Sequence, residues 1–338
     1  MFERYSRQML FSGIQEEGQR LIRNKHVLVI GAGALGTGNA EILVRSGIGK
    51  LTIVDRDYVE WSNLQRQQLY TEDDAKNYIP KVVSAKERLE AINSEVTIEG
   101  HIADVTPEEM EQFVPGVDLI MDATDNFEIR MIINDASQKH DIPWIYGSIV
   151  ASYGVSYTVL PGTTPCLHCL MGDIPLGGLT CDTGGVISPV VQLVVGHQTA
   201  EALKILTENW DSLRQELISF DVWANHHSSI NVQQLKKDDC PSCGTDAMYP
   251  FLSAGDHTKT EVLCGRDTVQ IRPPSKEERD LDVVAANLSE LGSVNHNTFL
   301  LQFKTDTNRL VLFKDGRVLV HGTNDAAKAK SLYHRYLG

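Results

Sequence analysis

Four cysteines stand as two Cys-x-x-Cys pairs, Cys166-Leu-His-Cys169 and Cys240-Pro-Ser-Cys243. Each pair can chelate from one tight turn, and four thiolates close a tetrahedral zinc shell with no open position. A redox dithiol or an iron–sulfur cluster would use the same residue type. Zinc is favoured because the pairs lie far apart in sequence and would clamp a long connection to the end of a domain. Cys166, Cys169, Cys240 and Cys243 are therefore read as a structural zinc site, with His168 a bystander inside the first pair. Cys181, in Gly178-Leu-Thr-Cys-Asp-Thr-Gly-Gly185, has no partner by spacing. It precedes a predicted helix, where a thiolate can have a lowered pKa and act as a nucleophile. The competing reading is an idle thiol. Cys264 is assigned nothing.

A second constellation begins at Gly31-Ala-Gly33-Ala34-Leu-Gly36, after an apolar run and before a helical pattern. Glycines at this spacing let backbone N–H groups approach phosphate, and the helix N-terminus adds favourable partial charge. Asp55 closes the second apolar run, where a carboxylate can accept from a ribose hydroxyl. These features alone fit an NAD-dependent dehydrogenase as well as an ATP enzyme. The next residues shift the balance. Asp55-Arg-Asp57 leads into Ser62-Asn63-Leu64-Gln65-Arg66-Gln67, and Lys81 opens the following helix. A triphosphate carries more charge than a dinucleotide pyrophosphate and calls for added cations and a metal. Asn63, Arg66 and Lys81 supply polar and cationic contacts, and Asp125 is placed to hold Mg²⁺.

The elements that must carry these residues alternate short apolar runs with helical patterns from His26 onward, the signature of βαβ units. Strands are predicted at 26–30, 51–54, 117–121 and around Trp144, with helices over 35–45, 80–92 and 128–139. Tyr153 to Leu160 reads as an antiparallel strand, and a Gly-, Pro- and Cys-rich loop follows to Gly185. Pro189 to Leu206 is predicted helical, and two short strands lead to Cys240; His226-His227 are placed on a surface loop. Beyond Gly244 the composition shifts, with a polar linker through Lys259. A helix over 277–291, strands at 298–304 and 310–313, a tight turn at Asp315-Gly316, a strand at 317–320 and a final helix from Asn324 describe a small α+β domain. The predicted division is 1–248 and 249–338. The fold class is α/β: a Rossmann-like domain with a mainly parallel sheet and an antiparallel extension, zinc-clamped, followed by that small domain.

Composition is ordinary for a globular chain, 42% hydrophobic and 22% charged, with net charge −14. So acidic a chain repels phosphate backbones, which argues against nucleic acid as a partner. No run approaches the apolar length of a spanning helix, and charges at the N-terminus sit where a signal peptide needs its apolar core. No membrane association and a cytoplasmic location are expected.

Arg4-Tyr-Ser-Arg7-Gln, the glycine turn, Asp55-Arg-Asp57, Ser62 to Gln67, Pro80-Lys81 and Ala123-Thr-Asp125-Asn126 together resemble the E1-like activating family, the ThiF, MoeB and HesA group. The resemblance covers about residues 1–245. It implies an adenylation domain that uses ATP, Mg²⁺ and Zn²⁺ to activate the C-terminal Gly-Gly carboxylate of a ubiquitin-like sulfur carrier. It implies that Gly31, Gly33, Ala34, Gly36, Asp55, Asp57, Ser62, Asn63, Leu64, Gln65, Arg66, Lys81, Asp125 and Asn126 bind the nucleotide and its magnesium. Arg7 would reach the triphosphate of a neighbouring subunit, which implies a homodimer. Ala34 departs from relatives that carry glycine there, at no cost if the contact is through backbone. Cys181 aligns with a cysteine that serves sulfur transfer in the thiazole branch, where a cysteine desulfurase or other persulfide donor is implied. The stretch Pro175 to Thr183 and the module around Cys264-Gly-Arg-Asp-Thr favour that thiamine-thiazole branch, acting on a ThiS-like carrier, over the molybdopterin branch, acting on a MoaD-like one.

Overall fold

The structure is a computed structural model that describes residues 3–171, 184–253, 260–263, 267–272, 278–305 and 307–337. Cys181, Cys264 and the stretch from Pro175 to Thr183 lie outside the described residues. Two compact units divide at about residue 254.

The first unit is an eight-stranded sheet. Its strands are β1 His26–Ile30, β2 Lys50–Asp55, β3 Thr97–Ile102, β4 Leu119–Asp122, β5 Trp144–Val150, β6 Tyr153–Val159, β7 Glu216–Asp221 and β8 His226–Asn231. They run in the order β3-β2-β1-β4-β5-β6-β7-β8. The first five pair in parallel, and the last three close antiparallel. β1 is buried along four of its five residues, which explains its unbroken run of branched residues: both faces are covered by helices. One layer packs helix Ala34–Ser46 and helix Lys81–Ile92 through Leu43, Val44, Val82 and Leu89 against Val27, Val29 and Ile53. The other packs helix Phe127–His140 through Met131, Ile132 and Ile133 against Leu28, Ile30 and Trp144. Gly47 ends the first helix in the left-handed region at φ 82°, as a C-terminal glycine should.

Strand order reverses between β1 and β4, so the carboxyl ends of these strands open a crevice where ligands collect in such sheets. The predicted α/β class with an antiparallel extension holds. β3 was not anticipated, because Thr-Ile-Glu-Gly-His-Ile mixes polar residues and a glycine on an edge. His226 and His227 are not on a loop; they open β8, an edge strand whose side chains are mostly exposed. Edge strands tolerate this polarity, which hides them from a hydrophobicity reading.

The second unit is a six-stranded antiparallel sheet. Its strands β9 Thr260–Leu263, β10 Thr268–Ile271, β11 Ser293–His296, β12 Leu300–Lys304, β13 Arg309–Phe313 and β14 Val318–His321 run in the order β11-β12-β13-β14-β10-β9. Val269, Leu301, Phe303, Leu312 and Val320 form its core with Leu281, Ala285 and Leu288 of helix Leu281–Leu288. That helix is shorter than the predicted 277–291, because the Asp280 carboxylate accepts from the backbone of Asp282 and Val283 and fixes its start. Among the described residues no helix is long and apolar enough to cross a membrane.

Candidate active site and metal centre

The glycine turn sits at the end of β1, at the crevice. Gly31 has φ 99°, and a Cβ there would meet the Ala123 carbonyl oxygen at 2.4 Å. A Cβ on Gly36 would lie 1.9 Å from the Gly31 oxygen. These two glycines are required for the helix to close on the strand. Gly33 differs: it is the N-cap of helix Ala34–Ser46, which has no side-chain cap, and a Cβ there would meet nothing nearer than Gln67 Nε2 at 4.0 Å. The first amides of that helix therefore face the crevice unshielded, as an anion site requires.

Asp55 ends β2 and holds the turn from one side. Its Oδ2 accepts from Ala32 N at 2.6 Å, and its Oδ1 from Asp57 N at 2.7 Å. Burial pushes its carboxyl pKa up, and the Lys81 ammonium opposes the shift. Tyr70, which the sequence reading passed over, holds the turn from the other side: its hydroxyl donates to the Ala32 carbonyl at 2.6 Å. Burial, with the charges of Asp55, Asp74 and Asp57 nearby, keeps that phenol's pKa well above 10, so it stays a donor. Both polar groups of the Ala32 peptide are thus fixed.

Lys81 is 4% exposed, and its Nζ lies 3.2 Å from Asp57 Oδ2. Asn63 is buried, and its Oδ1 accepts from Glu60 N at 2.9 Å, so part of its amide serves the turn Trp61–Asn63. Arg66 donates to the Ser62 carbonyl at 2.7 Å. Gln65 is exposed and donates to the Val186 carbonyl at 3.3 Å, while Leu64 packs on the core. Arg7 is exposed on the short helix Ser6–Met9.

Asp125 follows β4 on the loop that leads into helix Phe127–His140. Asn126 caps that helix, accepting from Glu128 N and Ile129 N at 2.8 and 3.3 Å. The support beneath Asp125 was not anticipated. Asp122 is fully buried; its Oδ1 accepts from the Thr124 amide and hydroxyl, and its Oδ2 from Arg130 Nε at 3.1 Å. Arg130 also donates to the carbonyls of Thr124 at 2.7 Å and Gly147 at 3.2 Å. Burial pushes the Asp122 carboxyl up, and Arg130 opposes it. Removing one partner of a buried ion pair leaves an uncompensated charge. Arg130→Met is expected to cost about 3–5 kcal/mol of stability by denaturant titration. Arg130→Lys is expected to cost less and still lower activity by loosening the loop. Unchanged stability in the methionine variant would show that the pair does not brace this loop.

The four predicted thiols meet. The Sγ atoms of Cys166, Cys169, Cys240 and Cys243 all lie within 4.8 Å of one another. Cys166 to Cys169, Cys166 to Cys240 and Cys169 to Cys243 are 3.9, 3.7 and 3.4 Å. A tetrahedron with Zn–S bonds of about 2.3 Å has edges of about 3.8 Å, so the donor set fits zinc in both chemistry and spacing. Packed this closely, the thiols cannot ionise independently. The hydrogen bond between Cys166 and Cys169 raises the pKa of the first and lowers that of the second. His168 turns away from the cluster: its Nδ1 lies 2.8 Å from Ser242 Oγ. Helix Phe127–His140 supports both knuckles, with Asn134 accepting from Leu167 N at 2.7 Å and Asp135 bonded to the Ser242 side chain and accepting from Phe251 N at 2.8 Å. The same helix begins beside Asp125, so the four-thiol cluster and the crevice share one element.

A nucleotide-binding α/β sheet, extended by antiparallel strands and clamped by four thiols, is the class that this fold and site define. Residues 5–242 match the ThiF family model, and the chain belongs to the ThiF family. It is 51% identical over 339 residues, the full length of both chains, to the sulfur carrier protein ThiS adenylyltransferase of Bacillus subtilis. The SAMP-activating enzyme E1 of Haloferax volcanii is 34% identical, with 72% of this chain and 88% of that protein covered. The molybdopterin-synthase adenylyltransferase of Salmonella typhimurium is 31% identical, with 71% and 96% covered. Among solved structures, E. coli MccB with ATP superposes with a TM-score of 0.62 at 24% identity, covering 72% of this chain and 74% of that one, a likeness of fold.

Proposed function

We propose that this enzyme adenylates the C-terminal carboxylate of a ThiS-like sulfur carrier. A carrier carboxylate oxygen attacks the α-phosphorus of ATP, the bond to the bridging oxygen breaks, and pyrophosphate leaves. The product is a mixed anhydride with a good leaving group, which a sulfur donor can displace. The observation that carries this reading is the full-length match at 51% identity to a ThiS adenylyltransferase. The molybdopterin-branch relative matches only 71% of the chain.

In this reading the amides at Gly33, Ala34 and Gly36 seat phosphate, and Asp55 accepts from ribose. Asn63, Arg66 and Lys81 neutralise the phosphate charge as the anionic carboxylate approaches. Asp57 keeps Lys81 oriented, Asn126 contacts the nucleotide, and Asp125 would hold magnesium, which when bound would screen the phosphates. Arg7 contributes from the neighbouring subunit of a homodimer. The thiols hold zinc as a structural clamp remote from the chemistry. Cys181 serves the later sulfur step and is dispensable for adenylylation, with a cysteine desulfurase or another persulfide donor as the cytoplasmic source. The test offers the purified protein ATP, Mg²⁺ and either a ThiS-like or a MoaD-like carrier, and follows the acyl-adenylate by intact mass. Adduct on the ThiS-like carrier is expected. Adduct on the MoaD-like carrier alone would move the protein to the molybdopterin branch.

A further inference from the structure

The pairing of β4 with β5 stops at Met121 and Ile145, just before the chain leaves β4 for the loop that carries Asp125. In a parallel ladder the next rung would run from Gly147 N to the Asp122 carbonyl. A side chain takes that place. The Asp122 carbonyl accepts from Gln198 Nε2 at 2.9 Å, and the same nitrogen donates to the Ile145 carbonyl at 3.1 Å. Gly147 N turns instead to the Asp122 carboxylate, at 3.5 Å. Gln198 stands on helix Ser188–Leu206. It is fully buried, as is Asn39, whose Nδ2 donates to Gln198 Oε1 at 2.8 Å. Two carbonyls can face only the nitrogen end of an amide, so its partners fix which way Gln198 points. Gly147 makes room for it: a Cβ there would meet Gln198 Nε2 at 2.5 Å.

The junction between β4 and its loop is thus held from both faces of the sheet. Arg130, in the layer built on Met131 and Ile132, takes the Asp122 carboxylate and the Thr124 carbonyl. Gln198, in the layer that contains Ala202 and Ile205, takes the main chain. Through Asn39 it also reaches helix Ala34–Ser46, which starts at the glycine turn. An apolar side chain could fill the same space, but it could neither bond the strand-end carbonyl nor tie it to that helix. We propose that Gln198 is a positioning residue for metal-dependent nucleotide binding: it ends the β4–β5 pairing at Asp122 and sets the loop carrying Asp125 relative to the glycine turn. This role rests on the adenylylation reading, in which Asp125 would hold magnesium, and acts through the backbone of Asp122.

The experiment titrates α,β-methylene-ATP by calorimetry into the parent, Gln198→Met and Asn39→Ala, each in EDTA and again in Mg²⁺, and records ligand-free melting temperatures. Gln198→Met is expected to lose about tenfold of the affinity gained on adding Mg²⁺, the usual cost of losing a group that orients a metal ligand. Its affinity in EDTA should stay close to the parent's. Asn39→Ala frees only the far end of the amide and is expected to show the same loss to a smaller extent. In an Asp125→Ala background, Gln198→Met should still lower the melting temperature but leave the Mg²⁺ response unchanged, because the two residues act as one unit. A parent-like Mg²⁺ gain in Gln198→Met would overturn the proposal; should that variant not fold, a parent-like gain in Asn39→Ala would do so. Equal weakening in EDTA and in Mg²⁺ would also overturn it, since that marks a general loss of packing. A parent that binds the analogue without any gain from Mg²⁺ would remove the magnesium role of Asp125 and the proposal, and leave ATP binding standing. A parent that does not bind the analogue at all would sink the adenylylation reading itself, and the role of Gln198 with it.

Discussion

Arg66→Ala and Asp125→Ala are each expected to lower carrier-dependent ATP–pyrophosphate exchange by about three orders of magnitude, with melting temperatures close to the parent's. The size of the effect follows from the chemistry. A carboxylate must approach an α-phosphate that is itself anionic, and fixed cations at that point act on charge that water would otherwise stabilise poorly. Arg66 is half-buried and Asp125 lies on a loop outside the three hydrophobic clusters of the first unit, so neither side chain belongs to the packed core. Circular dichroism and thermal unfolding check the fold, and labelled pyrophosphate incorporation into ATP checks the chemistry. Exchange retained within tenfold in either variant would remove that residue from the site.

The second large effect is on stability. Cys166→Ser is expected to lower the melting temperature by about 10 °C or more, since a loss of several kcal/mol shifts a domain of this size by that amount. Cys166, Cys169 and Cys240 are packing residues as well as proposed ligands. They belong to the core cluster that holds Trp144, Tyr157 and Met131, with Leu167 and Leu170 between the knuckles. Losing the metal leaves thiols packed against one another in that core and releases the connection between β6 and the second knuckle. Metal analysis of the parent should give one zinc per chain, and chelation should reproduce the effect of the serine variant. Inorganic sulfide, or a metal-free protein of full stability, would refute the zinc assignment.

The parts of the site legible in the sequence are those where one residue type has few alternatives. Gly31 and Gly36 are forced by contacts shorter than any side chain permits, and paired thiols at fixed spacing have few uses other than metal. The buried strands β1 and β4 were readable because a strand covered on both faces must be continuously apolar. What stayed hidden is support that depends on tertiary contact. Tyr70 reads as one more aromatic, yet its hydroxyl fixes the Ala32 carbonyl across the turn. Arg130 reads as a surface helix residue, yet it is 8% exposed and paired with a carboxylate on β4. Asn63 and Asn126 illustrate the converse: each was read as a ligand contact, and each also spends its carbonyl oxygen on a local cap. The second of the two strands expected before Cys240 is β8, and its histidines read as loop residues because an exposed edge strand carries no alternating pattern.

The central claim is that the crevice between β1 and β4 is built for ATP with magnesium rather than for a redox dinucleotide. Exchange of labelled pyrophosphate into ATP, measured on the purified protein with a ThiS-like carrier and compared with NAD titrated into the same sample, tests it most directly. Exchange that requires both carrier and Mg²⁺ is expected, with no NAD binding at concentrations that saturate ATP. Tight NAD binding with no exchange under any carrier would contradict it.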